Sequence, residues 1–600
     1  MTERRLQIHT ENLLPIIKKW LYSERDIFVR ELISNSTDAL RKIELLHIEK
    51  EDLALEIRIE IDKERKALIF SDTGIGMSAE EVEKYIAQIA FSGAKEFVEN
   101  YQKDKDSLGI IGHFGLGFYS AYMVAHEVTI DTKSYVKDTP AAFWKCDGGV
   151  SYTLEEGQRK ERGTTITLFL NADSEEFLEE EHLRTILLRF CAFLPFPIFL
   201  QGKKINEQEP LWIAPSTTLT DEKYKKFYQF LYPADPEPVL WVHLNVDYPF
   251  NLKGILYFPK LHKNWDWEKT HLKLFCNRVF VSDSCKDLLP DYLTHLKGVL
   301  DSNDIPLNVS RSFLQKDKRM QQLSSHIAKK IGDKLCHLLQ NNRDYFLSLW
   351  PEVEMIVKLG ALQDEKFYEK VKEALLWKTS QGNYVTVEEY QKLYPGTVYY
   401  TVDAHSPLLH LYTQEVLLAT SALDPSLMSS LEQRLKISFQ RIDSSIENSM
   451  LDPTKEKVLL DQEGKTEAAQ LAQFAQRALE DSHIQVEAKS LNSNRIPAFF
   501  TLEERSRRFR DYLHITQKES SLALPIQKNL VLNTNHPLIE KLMKLRSTHP
   551  ETAKEILLHL KDLTLLMQKE LDAKAVEPFV ERSLRLLEQV SPALSTVEAG

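Results

Sequence analysis

Cysteine is scarce. Only five occur in 600 residues, at 146, 191, 276, 285 and 336, with no CxxC pair and no histidine at metal-ligand spacing. That excludes a disulfide framework and the usual zinc patterns, and leaves reduced thiols as the expectation. Twenty glycines and 24 prolines are too few for a collagenous or low-complexity chain. No apolar run approaches the roughly 20 residues needed to span a bilayer. The opening stretch, MTERRLQIHTENLLPIIKKW, has neither a long apolar segment nor a small-residue cleavage site. The expectation is a cytoplasmic protein with no membrane attachment. Positive charge is also short: 76 Lys and Arg against 88 Asp and Glu give a formal charge of −12. A general nucleic-acid binder needs a basic surface to attract phosphates, so none is expected here.

What remains is an ordinary globular composition, 43% hydrophobic and 27% charged, in a chain long enough for three or four domains. From Glu24 to Leu46 the segment RDIFVRELISNSTDALRKIELL repeats apolar residues at helical spacing. LEIRIEID then alternates Ile57, Ile59 and Ile61 with polar neighbours, as a half-buried strand does, and LIFSDTG reads as its hairpin partner. Ser78 and Glu81 form a capping box ahead of VEKYIAQIAF. HEVTIDTKS, AAFWKC and TTITLFL read as strands, closing a first α+β domain at 1–207. A second, 208–460, carries strands in VLWVHLNV, LKGILYFP and LKLFCNRVFV, then helices from Asp317 to Leu359 and a strand-helix-strand unit over QGNYVTVEEYQKL and TVYYTV. The third, 461–600, is mostly helical and ends in two amphipathic helices. One has a stripe of Ile556, Leu560, Leu563 and Met567, the other of Val580, Leu584 and Leu587.

Four elements carry chemistry. Glu31, Asn35, Asp38 and Lys42 stand at i, i+4, i+7 and i+11, on one side of the first helix. Alone, that face is equally that of a solvated helix. In SDTGIGM, Gly74 and Gly76 permit backbone geometry closed to other residues and leave Asp72 to accept a hydrogen bond from a ligand amino group. GHFGLGF, residues 112–118, packs three glycines into six positions ahead of a predicted helix in YSAYMVA. Its backbone N–H groups suit a polyphosphate, although no Lys-Ser/Thr pair makes it a P-loop. In RGTTITLFL, Thr164 opens a strand with its hydroxyl available to a base or a bridging water.

These motifs in this order resemble the ATP fold shared by gyrase, histidine kinases, MutL and the heat-shock protein 90 chaperones. FVRELISNSTDALRK, DTGIGM, IAFSGAKEF, IGHFGLGFYSAYMVA and RGTTITLFL resemble the chaperone branch, as do GILYFP, NRVFVSDSCKDLLPDYL, KGVLDSNDIPLNVSR and LNTNHPLIEKL further on. The resemblance implies an α+β multidomain protein. Its parts would be an N-terminal GHKL-type (Bergerat) ATP-binding sandwich, an α/β middle domain and a mostly helical C-terminal dimerisation domain. It implies an ATPase that binds ATP with Mg²⁺, acting as a homodimeric clamp on unfolded or partly folded clients, under normal and stress conditions and with other chaperones. By the same resemblance Glu31 is the general base and Asn35 reaches Mg²⁺. Asp38 belongs to the nucleotide set and Asp72 accepts from the adenine amino group. Gly76, Met77 and Thr164 surround the base, and Gly112, Gly115, Gly117 and Phe118 the phosphates. Arg311 and Gln315, in SRSFLQ, approach the γ-phosphate from the middle domain.

Departures are few. Tyr85, Ala87 and Phe91 replace the family's Asn, Gly and Lys, which removes one phosphate contact, and His113 stands where Gln is commoner. No long charged linker joins the first two domains, as in bacterial members. A DNA enzyme of the MutL type would show a basic channel, and a histidine kinase a phosphoacceptor helix before residue 31; the charge and the motif order disfavour both.

Overall fold

The computed structural model describes residues 24–47, 53–88, 111, 115–149, 151–248, 250–260, 271–283, 288–305, 318–452, 466–508 and 527–595. The chain divides into two compact units, Met1–Lys334 and Leu335–Gly600.

The first unit opens with helix α1 (Ile27–Leu45), whose apolar residues Phe28, Val29, Leu32, Ile33 and Leu40 are fully buried. Strands β1 (Ile57–Asp62) and β2 (Ala67–Asp72) form the predicted hairpin, and α2 (Ala79–Tyr85) begins at Ser78 with both hydrogen bonds of the predicted capping box. The predicted helix after the glycine cluster is a 3-10 turn, Gly117–Met123. Tight i to i+3 winding suits a short segment whose aromatic side chains Phe118, Tyr119 and Tyr122 all go inward. The sheet then adds β3 (Ala125–Lys133), β4 (Ala142–Cys146), β5 (Tyr152–Glu156) and β6 (Gly163–Leu170). Helix α3 (Glu180–Cys191) leads to β7 (Ile198–Leu200) and β8 (Lys203–Lys204). The order is β5-β4-β3-β6-β2-β1-β7-β8, antiparallel except where β1 pairs with β7. β2 therefore lies between β1 and β6, and its last residue, Asp72, sits inside the sandwich at 4% exposure.

A second sheet, β12-β11-β13-β10-β9, follows helix α4 (Asp221–Leu231) and is built from β9 (Leu240–Val246), β10 (Leu252–Phe258), β11 (His271–Cys276), β12 (Val279–Ser282) and β13 (Lys297–Ser302). The join between the sheets is packed. Asn206 accepts from the Ile198 N–H at 2.8 Å and donates to the carbonyls of Leu194 at 2.9 Å and Phe196 at 2.7 Å. Beside it, the Phe193 ring centroid lies 4.7 Å from Trp212 and 5.4 Å from Phe275, and Phe190 meets Phe280 at 5.9 Å. One apolar cluster therefore runs unbroken from Ile27 to Val299.

Helix α5 (Lys318–Asn341) includes the division between units. The second unit has helices α6 (Arg343–Gln363), α7 (Glu365–Val371), α8 (Val387–Leu393) and α9 (Asp424–Leu435). They accompany a five-stranded sheet of β14 (Trp377–Thr379), β15 (Tyr384–Val385), β16 (Val398–Thr401), β17 (Leu417–Leu418) and β18 (Phe439–Arg441). Within it Lys358, 1% exposed, is held by Asp424 at 2.6 Å and Glu354 at 2.5 Å, over the Trp377 ring. Helix α10 (Glu467–Leu479) precedes a three-stranded sheet of β19 (Ile484–Lys489), β20 (Ala498–Thr501) and β21 (Lys528–Asn533). Helices α11 (Pro537–Thr548), α12 (Pro550–Met567) and α13 (Ala573–Ser595) end the chain. The predicted α12 stripe is split: Leu560 is buried and Ile556 and Met567 pack on cores of the same unit, whereas Leu563 is 39% exposed.

Trp212 is the test of the shared core. It is 1% exposed and its indole N–H donates to Asp301 at 3.1 Å. Trp212→Ala is expected to lower stability by about 3–5 kcal/mol, read as an earlier urea transition. Leu393→Ala, at a side chain 65% exposed, should stay within about 0.5 kcal/mol.

Candidate functional site

The described site residues lie in the first unit, on α1, on the central strands β2 and β6 with the loop that follows β2, and on the glycine turn. Asp72 is the deepest. Its Oδ1 accepts the Gly74 N–H at 2.8 Å, and Ser36 and the Thr164 backbone also donate to the carboxylate. These bonds and the nearby Arg159 favour the charged form, but burial outweighs them and pushes the carboxyl up to about 6. Next along the loop, Gly76 has φ +62°, and a side chain there would run into the Lys133 carbonyl. Only glycine fits.

Met77 is fixed through its backbone, whose N–H donates to Thr132 Oγ1 at 3.0 Å. The Thr132 hydroxyl donates to the Gly163 carbonyl at 3.1 Å and lies 3.0 Å from Thr164 Oγ1. Since Thr132 has one proton and has used it, Thr164 must donate in that pair. Thr164 therefore keeps its lone pairs for a ligand or water, as an acceptor.

On α1, Glu31 is buried, with Oε1 held by Arg30 at 2.8 and 3.1 Å. Arg30 is itself 1% exposed and lies over the Phe190 ring. The other carboxylate oxygen faces the glycine turn so closely that a Cβ on Gly117 would collide with it. Asn35, one turn on, is exposed, and Asp38 is buried with Oδ1 accepting from the Ile111 N–H at 2.7 Å. The predicted polar face is thus mostly interior, with Asn35 at its opening. Gly115 has φ +63°, and Phe118 is buried edge-on against Tyr119, Tyr122 and Trp144. Gly112, Phe91, His113, Arg311 and Gln315 lie outside the described residues.

Two further residues shape the site and were not singled out from the sequence. Arg159 donates to the Asp72 carbonyl at 2.6 Å, to Ser71 Oγ at 3.2 Å and to Thr165 Oγ1. Arg162 donates to the Thr73 carbonyl. Both clamp the loop backbone from QRKERGTT, which as sequence is a charged run like any loop; only the Arg before Gly163 and Thr164 marked it. The donors in this region are oxygens, which suits a hard cation shared with phosphates. Among the described residues there is no His, Cys, Asp and Glu cluster that would hold a metal by itself.

Comparison with known proteins agrees with this geometry. Residues 22–153 match the family model described as Histidine kinase-, DNA gyrase B-, and HSP90-like ATPase, and residues 201–592 match Hsp90 protein. Chaperone protein htpG of Bacteroides fragilis is 40% identical over 581 residues, covering 90% of this chain and 84% of that protein. Chaperone protein HtpG of Porphyromonas gingivalis is 41% identical over 575 residues, 89% and 83% of the two chains. A TNF receptor-associated protein 1 homolog, mitochondrial, of Dictyostelium discoideum is 29% identical over 578 residues, 92% and 81% of the two.

The Asp72 environment makes a stability prediction with a definite sign. Its folded value of about 6 lies above its ordinary 3.8, so the native state holds the extra proton between them. The cost of the buried charge is absent below pH 3.8, grows through the window and is complete above pH 6. Two units of displacement correspond to roughly 3 kcal/mol. Asp72→Asn, whose amide oxygen can still accept from Gly74, should therefore melt higher than the parent at pH 7, and the difference should vanish near pH 4. Equal melting curves at pH 7 would refute the assignment.

Proposed function

The chain belongs to the Hsp90 family, and from that premise we propose an ATP-driven chaperone cycle in which α1, the Asp72 loop and the glycine turn bind and hydrolyse the nucleotide. The protein is an ATP-dependent molecular chaperone with a GHKL-type ATPase domain, and it acts on client proteins. The observation that carries the site assignment is the approach of Glu31 to Gly117. Phosphates cradled by the N–H groups of that turn lie beside a carboxylate able to take a proton from water.

In this reading Asp72 accepts from the adenine amino group, while Gly76, Met77 and Thr164 enclose the base, Thr164 through a water to which it presents lone pairs. Gly112, Gly115, Gly117 and Phe118 form the phosphate cradle. Glu31 polarises the attacking water with the carboxylate oxygen that faces the glycine turn, while Arg30 holds the other oxygen and so orients the group. Asn35 offers its exposed amide oxygen to Mg²⁺, with Asp38 behind it anchoring Ile111. When bound, Mg²⁺ supplies charge neutralisation of the phosphate oxygens. Arg311 and Gln315 add a donor from the second domain, which makes turnover depend on docking. The three-part organisation, 1–207, 208–460 and 461–600, is kept as part of the proposal; each span encloses whole sheets, while the compact units divide the chain after Lys334.

We assign homodimerisation to α13. Val576, Val580, Leu584 and Leu587 are 43, 47, 56 and 67% exposed, an apolar stripe with no cover within its own unit among the described residues. Together with the exposed Leu563 and Leu566 of α12, that stripe is the apolar surface left for a second copy. Residence in the cytoplasm and cooperation with other chaperones complete the reading, consistent with the absence, among the described residues, of any helix long and apolar enough to cross a membrane.

Glu31→Ala should keep ATP affinity within a few-fold and lose about 10²- to 10⁴-fold in single-turnover hydrolysis. Arg311→Ala should slow turnover by about 10-fold or more with little change in affinity, and Arg311→Lys should rescue only partly; parent rates in either alanine variant would remove that residue from chemistry. Leu584→Asp with Leu587→Asp should sediment as monomers with unchanged melting of the C-terminal unit. A dimer that survives both charges would move the interface elsewhere.

A further inference from the structure

A cavity of about 350 Å³ separates α1 from the second sheet within the first unit. Its walls bring together three cations from three elements: Arg41 from α1, Lys253 from β10 and Arg278 from the turn between β11 and β12. The carboxylate on the wall is Asp301, and its Oδ2 is engaged by the Trp212 indole at 3.1 Å and by the Arg278 backbone N–H at 3.1 Å. Arg41 pairs with Glu44 along its own helix, at 2.5 Å and on its exposed side. The cavity lining thus carries three positive charges against one already hydrogen-bonded negative one.

Asn277 and Arg278 form the two-residue turn of the β11-β12 hairpin, with φ of +50° and +67°, the left-handed pair that the right-handed twist of such a hairpin favours. Here the bond from the Arg278 N–H to Asp301 fixes the turn against β13. Burial disfavours the charged form of Arg278, the Asp301 carboxylate partly offsets this, and the approach of Arg41 adds a smaller push in the same direction as burial. Like charges brought face to face across a packed seam weaken it unless an anion lies between them. Guanidinium forks and an ammonium around one space are also the donor set that grips phosphoryl oxygens.

We propose that this cavity is a binding site for a compact multivalent oxyanion of the phosphate class, distinct from the nucleotide site. Its volume exceeds one phosphate group, so short chained phosphates share the chemistry and gain a second set of oxygens. Thr37 and Ile111 also line it, and Ile111 is the residue whose N–H Asp38 holds. The anion would sit behind the nucleotide-binding face of α1 and draw that helix toward the second sheet.

The test is calorimetric titration of sodium phosphate, and separately of tripolyphosphate, into the full chain saturated with ADP, at constant ionic strength. The parent should bind both saturably, tripolyphosphate at least 10-fold tighter. Arg41→Gln and Lys253→Gln should each weaken binding about 10-fold, and Lys253→Arg should retain it. Neither glutamine variant replaces a residue assigned to the nucleotide site, and matched melting curves establish that both are folded. Absence of saturable binding would overturn the proposal. So would binding unchanged by both substitutions, which would put the anion in the nucleotide pocket beside bound ADP instead.

Discussion

A carboxylate inside an apolar sandwich has to be held by polar groups that the surrounding chain can bring to it, and Asp72 imposes that demand on the whole first unit. It ends a central strand, where water cannot reach it, so Gly74, Ser36 and Thr164 must supply donors from a loop, a helix and a neighbouring strand. Their positions in turn require Gly76 at positive φ and the Arg159 and Arg162 clamps on the loop carbonyls. Even so burial wins, and the site is kept at a cost to stability. A buried carboxylate kept at that cost is what the proposed contact with a ligand amino group calls for.

Most of the scaffold was legible because local periodicity carries it. α1, the β1-β2 hairpin, the capping box at Ser78 and the strand-helix-strand unit around α8 each follow from spacing within a dozen residues. Asp72, Glu31, Asp38 and Thr164 were legible because their motifs stand in a fixed order. Their surroundings were not. Arg159 acts on residues nearly ninety positions away, and no local pattern distinguishes it from its charged neighbours. The strand β5 was missed because an edge strand with exposed Tyr152 and Glu155 lacks alternation. The 3-10 turn at Gly117 was read as a helix, since inward aromatics at that spacing satisfy either winding. The α12 stripe shows the same limit: amphipathicity says that a face is covered, but only packing says by what.

The two units solve the problem of buried charge differently. At Lys358 the ammonium is surrounded by Asp424, Glu354 and the Trp377 face, a closed group with no role for a ligand. Removing one partner would strand the others, so its value lies in fixing how α6, α9 and β14 meet. At Glu31 the pair with Arg30 engages one oxygen and leaves the other toward the glycine turn. A closed pair serves structure; a half-open one is suited to exchange.

The joint at Asn206 limits how the first unit can move. Three hydrogen bonds from one side chain brace residues 194–206 at the end of the first sheet, and the rings of Phe193, Trp212 and Phe275 interlock from there to the second sheet. Such a joint cannot swing like a door on a flexible strap. Relative displacement of the two sheets would have to be a shear, in which flat aromatic faces slide and re-seat in discrete steps. Shear of this kind is short in reach and stiff, so a small shift at α1 is passed on with little loss instead of being absorbed in a slack tether.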